Sequence, residues 1–146
     1  MIAVGLNNIR FDDKFIRHLF WRNFYDPYEW TWKDGRSRWD LLDVVRLTRA
    51  LRPEGIEWSI DDKGEPSNRL ELITKANGIE HENAHDALAD VTALIAVTTL
   101  IKQNQPQMYD YLLKMRDKKL VQKLVNVDDK KPVVYASGRY DKEFAK

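Results

Sequence analysis

The sequence contains no cysteine, which excludes a disulfide framework and any cysteine-based zinc or redox site. It has no apolar run near the roughly 20 residues that span a bilayer. The opening MIAVGL is too short for a signal-peptide core and has no basic flank, so a cytoplasmic location is expected. Charge of one sign is missing too. The formal net charge is +1, so the overall balance announces neither a nucleic acid nor a membrane surface as partner. Internal repeats and low-complexity segments are absent. What remains is globular composition, 43% hydrophobic and 32% charged, over 146 residues, which suits a single domain.

Hydrophobic spacing and turn residues organise the chain. Residues 1–6 are a short apolar run closed by Gly5 and Asn7-Asn8, the pattern of a buried strand ending in a turn. Phe15, Ile16, Leu19 and Phe20 predict a helix over about Asp12–Asn23. A loop with Pro27 and Gly35 precedes a second helix, expected over Trp39–Leu51, and residues 52–67 read as a surface excursion. Asn68 with Glu71 has capping-box spacing, and Gly78 is a helix stop. A long helix is expected over Asp86–Gln103, with Leu88, Val91, Leu94, Ile95 and Thr98 as its buried stripe. Pro106 opens another helix reaching about Val125, and Pro132–Tyr135 is strand-like.

Charge is distributed unevenly. Between Phe15 and Trp39 lie Phe20, Trp21, Phe24, Tyr25, Tyr28, Trp30 and Trp32, interleaved with Arg17, Arg22, Lys33, Arg36 and Arg38. Aromatic faces beside cations are what single-strand binding uses. The plainer reading is an aromatic core with a solvated basic rim.

Two segments offer carboxylates for metal-assisted phosphodiester hydrolysis, which clamps two divalent ions and needs a base for the attacking water. One is Asn7–Asp13, a strand-to-helix turn ending in Asp12 and Asp13; the other is His85–Asp90. Five residues at about 100° each would set His85 and Asp90 roughly 140° apart on one helix. To share a site, His85 must precede the helix while Asp90 lies within it. Asp90 sits among Ala87, Ala89, Val91 and Leu94, where a carboxylate is costly unless paired or metal-bound. Facing water at the edge of the stripe is its bland alternative, and a structural histidine near a helix start is that of His85.

Asn-x-x-Phe-Asp at Asn8–Asp12 and His-x-x-x-x-Asp at His85–Asp90 resemble the second and third motifs of DEDDh exonucleases. The segments GLNNIRFDD, WRNFYDPYEWTW, SRWDLLDVVRLTRALRPEGIEW and ITKANGIEHENAHDALADV are similar to bacterial exonuclease I, and the resemblance covers nearly the whole chain. It implies an α/β, RNase H-like domain, mostly its helical back part, that removes 5′-mononucleotides from the 3′ end of single-stranded DNA in repair and recombination. By this resemblance Asp12 and Asp90 are active-site carboxylates binding Mg²⁺ (two ions, with Mn²⁺ as a substitute), and His85 is the general base. Arg69, in Ser-x-Arg-Leu-Glu, matches a substrate-binding arginine. Arg17, Tyr28, Trp32 and Arg46 match positions that touch the DNA strand. Arg52 and Tyr111 match a docking site for the acidic C-terminal tail of single-strand DNA-binding protein. For each exposed arginine a solvated face is the alternative. The family is expected to be monomeric and free of membranes.

The family's first motif, Asp-x-Glu on the first strand, is not found ahead of Asn8. Asp141-Lys142-Glu143 lies at the wrong end. The chain is therefore expected to lack the first strands of the sheet, with residues 1–126 a partial exonuclease domain and 127–146 the start of a linker to a C-terminal domain. Little or no nuclease activity is expected of it alone. Three rivals differ in testable ways. His81-Glu82-Asn83-Ala84-His85 is formally a zinc-protease H-E-x-x-H, but Glu80 and Asp86 flank it with charge and Gly78 reads as a helix end. A binding module that holds single strands or partner tails without cutting would use the same residues. A relative acting on RNA fits the long matched segments poorly.

Overall fold

The computed structural model describes residues 1–79 and 86–135. Strand β1 (Ile2–Gly5) pairs in parallel with β2 (Ser37–Asp40), Ile2 opposite Ser37 and Gly5 opposite Asp40. Parallel neighbours need a long connection. Helix α1 (Asp12–Arg22) and two 3₁₀ turns, Glu29–Thr31 and Lys33–Gly35, provide it. The second expected helix starts later than its spacing predicted. Residues 37–40 are extended, and α2 runs Leu41–Leu51. Asp40 explains the boundary: its carboxylate accepts the Leu42 amide at 3.1 Å, and an N-cap residue keeps non-helical backbone.

Helix α3 (Leu70–Ala76) forms without the expected capping box. The Asn68 side-chain oxygen accepts from Arg49, and Glu71 pairs with Arg69, so neither reaches back to close the box. Gly78 ends the segment with φ +65°, its amide donating to Lys75 O, as its lack of a side chain permits. Helix α4 (Ala87–Asn104) is capped by Asp86, and Pro106 opens α5 (Pro106–Lys114). The single helix expected to Val125 is two. Asp117 takes the Lys119 amide and starts α6 (Lys118–Leu124), while Arg116 donates to Leu113 O and to Ser37 Oγ across the fold. Residues 132–135 form no strand; among the described residues no neighbour pairs with them, and Val133, Val134 and Tyr135 are exposed.

The core lies between α2, α3, α4 and α5, built from Trp39, Leu41, Val44, Val45, Ile56, Leu70, Ile73, Ala93, Val97, Ile101 and Leu112. Here the α4 stripe is corrected. The buried residues are Ala93, Val97 and Ile101, whereas Leu88, Val91 and Ile95 are 74%, 51% and 61% exposed. Leu94 alone of the expected set packs on the core's edge, and Thr98 is half-buried. The helix is apolar on nearly every side, so periodicity could not choose its inner face.

Candidate active site

Beyond β1 the chain reverses in a turn that several contacts fix. Asn7 takes φ +61°, a left-handed conformation that asparagine tolerates better than most residues. The buried Asp40 carboxylate accepts the Asn7 amide at 2.7 Å and the Ile9 amide at 3.2 Å. Burial raises the pKa of Asp40, the nearby Asp43 carboxylate adds to this, and the three amide donors offset it only in part. Arg10 bridges to Asp40 at 3.7 Å and to Asp43 at 3.1 Å. Burial would lower its pKa, but the hydrogen bond to Asp43 and the charges of Asp43 and Asp40 outweigh it and leave it raised. Gly5 is required by close approach: a Cβ there would meet Asn8 Cβ at 2.8 Å. Asn8 is thereby tucked in, buried, with its Oδ1 facing no protein donor among the described residues.

Asp12 and Asp13 begin α1, where acidic groups meet the positive end of the helix dipole. Their fates differ. Asp12 is exposed to the cleft, while Asp13, 1% exposed, is ion-paired with Arg38 and lies 3.7 Å from Arg17. Burial lowers the pKa of Arg38. Arg17 in turn lies over the Tyr28 ring, 5.0 Å from its centroid.

Asp12 opens onto a cleft of about 840 Å³ whose opposite walls are the starts of α3 and α4. Asp90, in the first turn of α4, lines it with Asn68, Arg69 and Glu71, and Arg46 of α2 completes the rim. Arg46 is held by Asp43 at 3.3 Å. Four of the expected residues, Asp12, Asp90, Arg69 and Arg46, therefore share one cleft. Arg17 and Tyr28 sit on the α1 side, outside its lining. Trp32, 62% exposed, lines a second cleft of about 930 Å³ with Arg36, Lys118 and Lys119. Most of the aromatic segment is exposed and Trp39 alone of it joins the core, so the aromatic-core reading fails. Arg52 follows α2 and donates to Leu51 O, and Tyr111 is exposed on α5. His85 and the rest of His81–His85 lie outside the described residues, as do Asp141 and Glu143. Asp40 was not singled out from sequence, and Asn8, Asp13 and Glu71 were named there for motif, turn and capping positions rather than for the contacts they make. Asp40 carried a usable signal, an aspartate directly before an apolar helical run.

An α/β cleft that gathers Asp12, Asp13, Glu71 and Asp90 with Arg46 and Arg69 suits an anionic phosphate ester. Comparison with known proteins narrows this. Residues 1–98 match the family RNase_T, described as exonuclease. Exodeoxyribonuclease I of Haemophilus influenzae is 58% identical over 136 residues, which cover 93% of this chain and 29% of that protein. The zinc ion bound form of an Escherichia coli ExoI–ssDNA complex superposes with a TM-score of 0.89 at 53% identity, covering 97% of this chain and 30% of that one. The solved ExoI/SSB-Ct complex gives a TM-score of 0.81 at 56% identity, covering 85% and 26%. The chain belongs to the exonuclease family. It spans about 29% of the length of the curated relatives it matches.

Proposed function

We propose that this chain is the strand-binding and partly catalytic portion of a 3′→5′ exonuclease acting on single-stranded DNA. The observation that carries the reading is the convergence of Asp12, Asp90, Arg69 and Arg46 on one cleft from four separate elements. Donor chemistry decides whether a divalent cation suits it. Asp12 and Asp90 offer hard carboxylate oxygens, which Mg²⁺ prefers and which it takes in small number beside substrate phosphate. Asp13 is committed to Arg38 and Arg17. Asp12 and Asp90 fit as the residues that would hold the metal, with Mn²⁺ as a substitute. When bound, the ion supplies charge neutralisation at the phosphate and a more acidic water.

The chain's own residues do the rest. Arg69 and Arg46 meet the anionic phosphodiester by charge-assisted hydrogen bonds. Arg17 with Tyr28, and Trp32, offer a cation and stacking faces to the strand further from its 3′ end. His85, on the segment before α4, is assigned as the base that takes the proton of the attacking water. Arg52 and Tyr111 are assigned to an acidic peptide of the kind present in the SSB-Ct complex. Residues 1–126 are assigned to the exonuclease domain and 127–146 to a linker. A cytoplasmic role in DNA repair accompanies this reading.

A second reading, binding without cutting, is favoured by one observation: Tyr28 and Trp32 present exposed rings, with the Arg17 guanidinium over the first of them. For the 146-residue polypeptide by itself, binding is expected to outweigh degradation. The test measures anisotropy of a labelled oligonucleotide in EDTA and Mn²⁺ binding by calorimetry. Single-strand binding should fall steeply with salt and weaken in Arg46→Ala. Mn²⁺ binding should be weak and vanish in Asp12→Asn or Asp90→Asn. Equal affinity for duplex and single strands, or Mn²⁺ binding indifferent to both substitutions, would overturn the proposal. Robust degradation abolished by Asp90→Asn would overturn the second reading alone.

A further inference from the structure

Arg69 reaches the cleft with two local side-chain contacts, an ion pair with Glu71 and its amide's bond to Ser67 Oγ at 3.4 Å. Residues 67–69 precede α3 without regular structure, and that helix has no side-chain cap. Further support comes from behind, from Arg49 on α2. Its Nη1 donates to Ser67 O at 2.8 Å and to Asn68 Oδ1 at 3.4 Å, and its Nη2 donates to Ser59 O at 3.0 Å. Ser59 Oγ donates to the same Ser67 O at 2.9 Å, and the Ser67 amide returns a bond to Ser59 O at 3.1 Å. Ser59 and Ser67 are both buried. The guanidinium also lies over the Trp58 ring, 5.7 Å from its centroid. One planar fork therefore ties together both ends of the 59–67 excursion, which a single ammonium could not do with the same directions. Burial lowers the pKa of Arg49, and among the described residues its donors reach no carboxylate.

We propose that Arg49 is a positioning residue for strand binding: by holding the Ser59 and Ser67 carbonyls it sets where Arg69 meets the phosphodiester in the Asp12–Asp90 cleft. Arg49 itself does not line the cleft, so it acts through the segment it holds. The inference rests on the reading of Arg69 as a strand-binding residue.

A double-mutant cycle separates positioning from plain stabilisation. Affinity for a labelled single-stranded oligonucleotide, in EDTA, is measured for the full chain and for Arg69→Ala, Arg49→Lys and the double variant. Melting of each protein is followed alongside. Arg49→Lys is expected to melt cooperatively and to bind about fivefold more weakly, the size of one coupled interaction. The double variant should bind no more weakly than Arg69→Ala alone. Wild-type affinity in Arg49→Lys overturns the inference, as does a double variant whose loss is the product of the two single losses. An Arg69→Ala variant with unchanged affinity overturns the assignment of Arg69 first, and this inference with it. Should Arg49→Lys fail to fold, Trp58→Phe loosens the ring beneath the guanidinium while leaving Arg49 in place. It is expected to weaken binding in the same direction and non-additively with Arg69→Ala, and additivity there counts against the proposal.

Discussion

Single carboxylates in this chain have sharply different work. Asp12 faces the cleft; its neighbour Asp13 is buried against two arginines, where loss of one partner would leave a charge uncompensated. Asp40 closes the turn that presents Asp12, accepting three backbone amides. Burial nonetheless holds its pKa above the ordinary 3.8, so the folded chain binds that proton more tightly than the unfolded chain. The stability so contributed is present below the unfolded value and is lost as pH rises through the raised folded value. Asp40→Asn cannot ionise and escapes that loss. As pH rises from below the ordinary 3.8 through the raised folded value, the urea midpoint of the wild type should fall relative to that of Asp40→Asn. A gap that stays constant, or moves the other way, would show that the amide donors dominate over burial. Asp40 and Asp13 were hard to recognise in sequence because their roles depend on partners far along the chain, Asn7 and Ile9 for one and Arg38 for the other.

At the scale of elements, local chemistry was legible where it was self-contained. The α4 start beside Asp86, the Pro106 start and the Gly78 stop stand where the residues indicate. Legibility failed where a tertiary partner decided the outcome. Ser37–Asp40 became a strand because β1 lies beside it, and Asn68 left its capping role because Arg49 claims its side chain. Helix α4 is the largest case, since both its faces are apolar and only packing against α3 and α5 selects one. Two isoleucines test that assignment. Ile101 is 2% exposed and Ile95 is 61% exposed. Ile101→Ala should cost about 2–5 kcal/mol, as buried large-to-small changes do. Ile95→Ala should stay within about 1 kcal/mol, being a surface change. Denaturant unfolding of both variants reads the difference directly. Comparable losses would mean that Ile95 is covered in solution.

On the scale of the whole molecule, family was easier to read than architecture. Long segments such as Gly5–Asp13 and Ser37–Trp58 carry the resemblance, while the cleft joining Asp12 to Asp90 exists only once the chain is folded. The same folding leaves a bare surface. Leu88, Val91 and Ile95 form an open apolar face on α4, and Val4 of β1 is half-exposed; among the described residues β1 pairs with β2 alone. An apolar face beside an unpaired strand edge favours association, and a net charge of +1 supplies little repulsion to oppose it. The 146-residue polypeptide, 17.2 kDa as a monomer, is therefore expected to self-associate at concentrations of about 100 μM. Ile95→Lys places a charge in the middle of the exposed face at little cost to the core, since Ala93, Val97 and Ile101 point elsewhere. Light scattering coupled to size exclusion should show a mass that grows with concentration for the wild type and stays near the monomer for Ile95→Lys. A wild type that remains monomeric throughout would mean that this face tolerates water. A variant that associates as strongly as the wild type would move the contact to another surface.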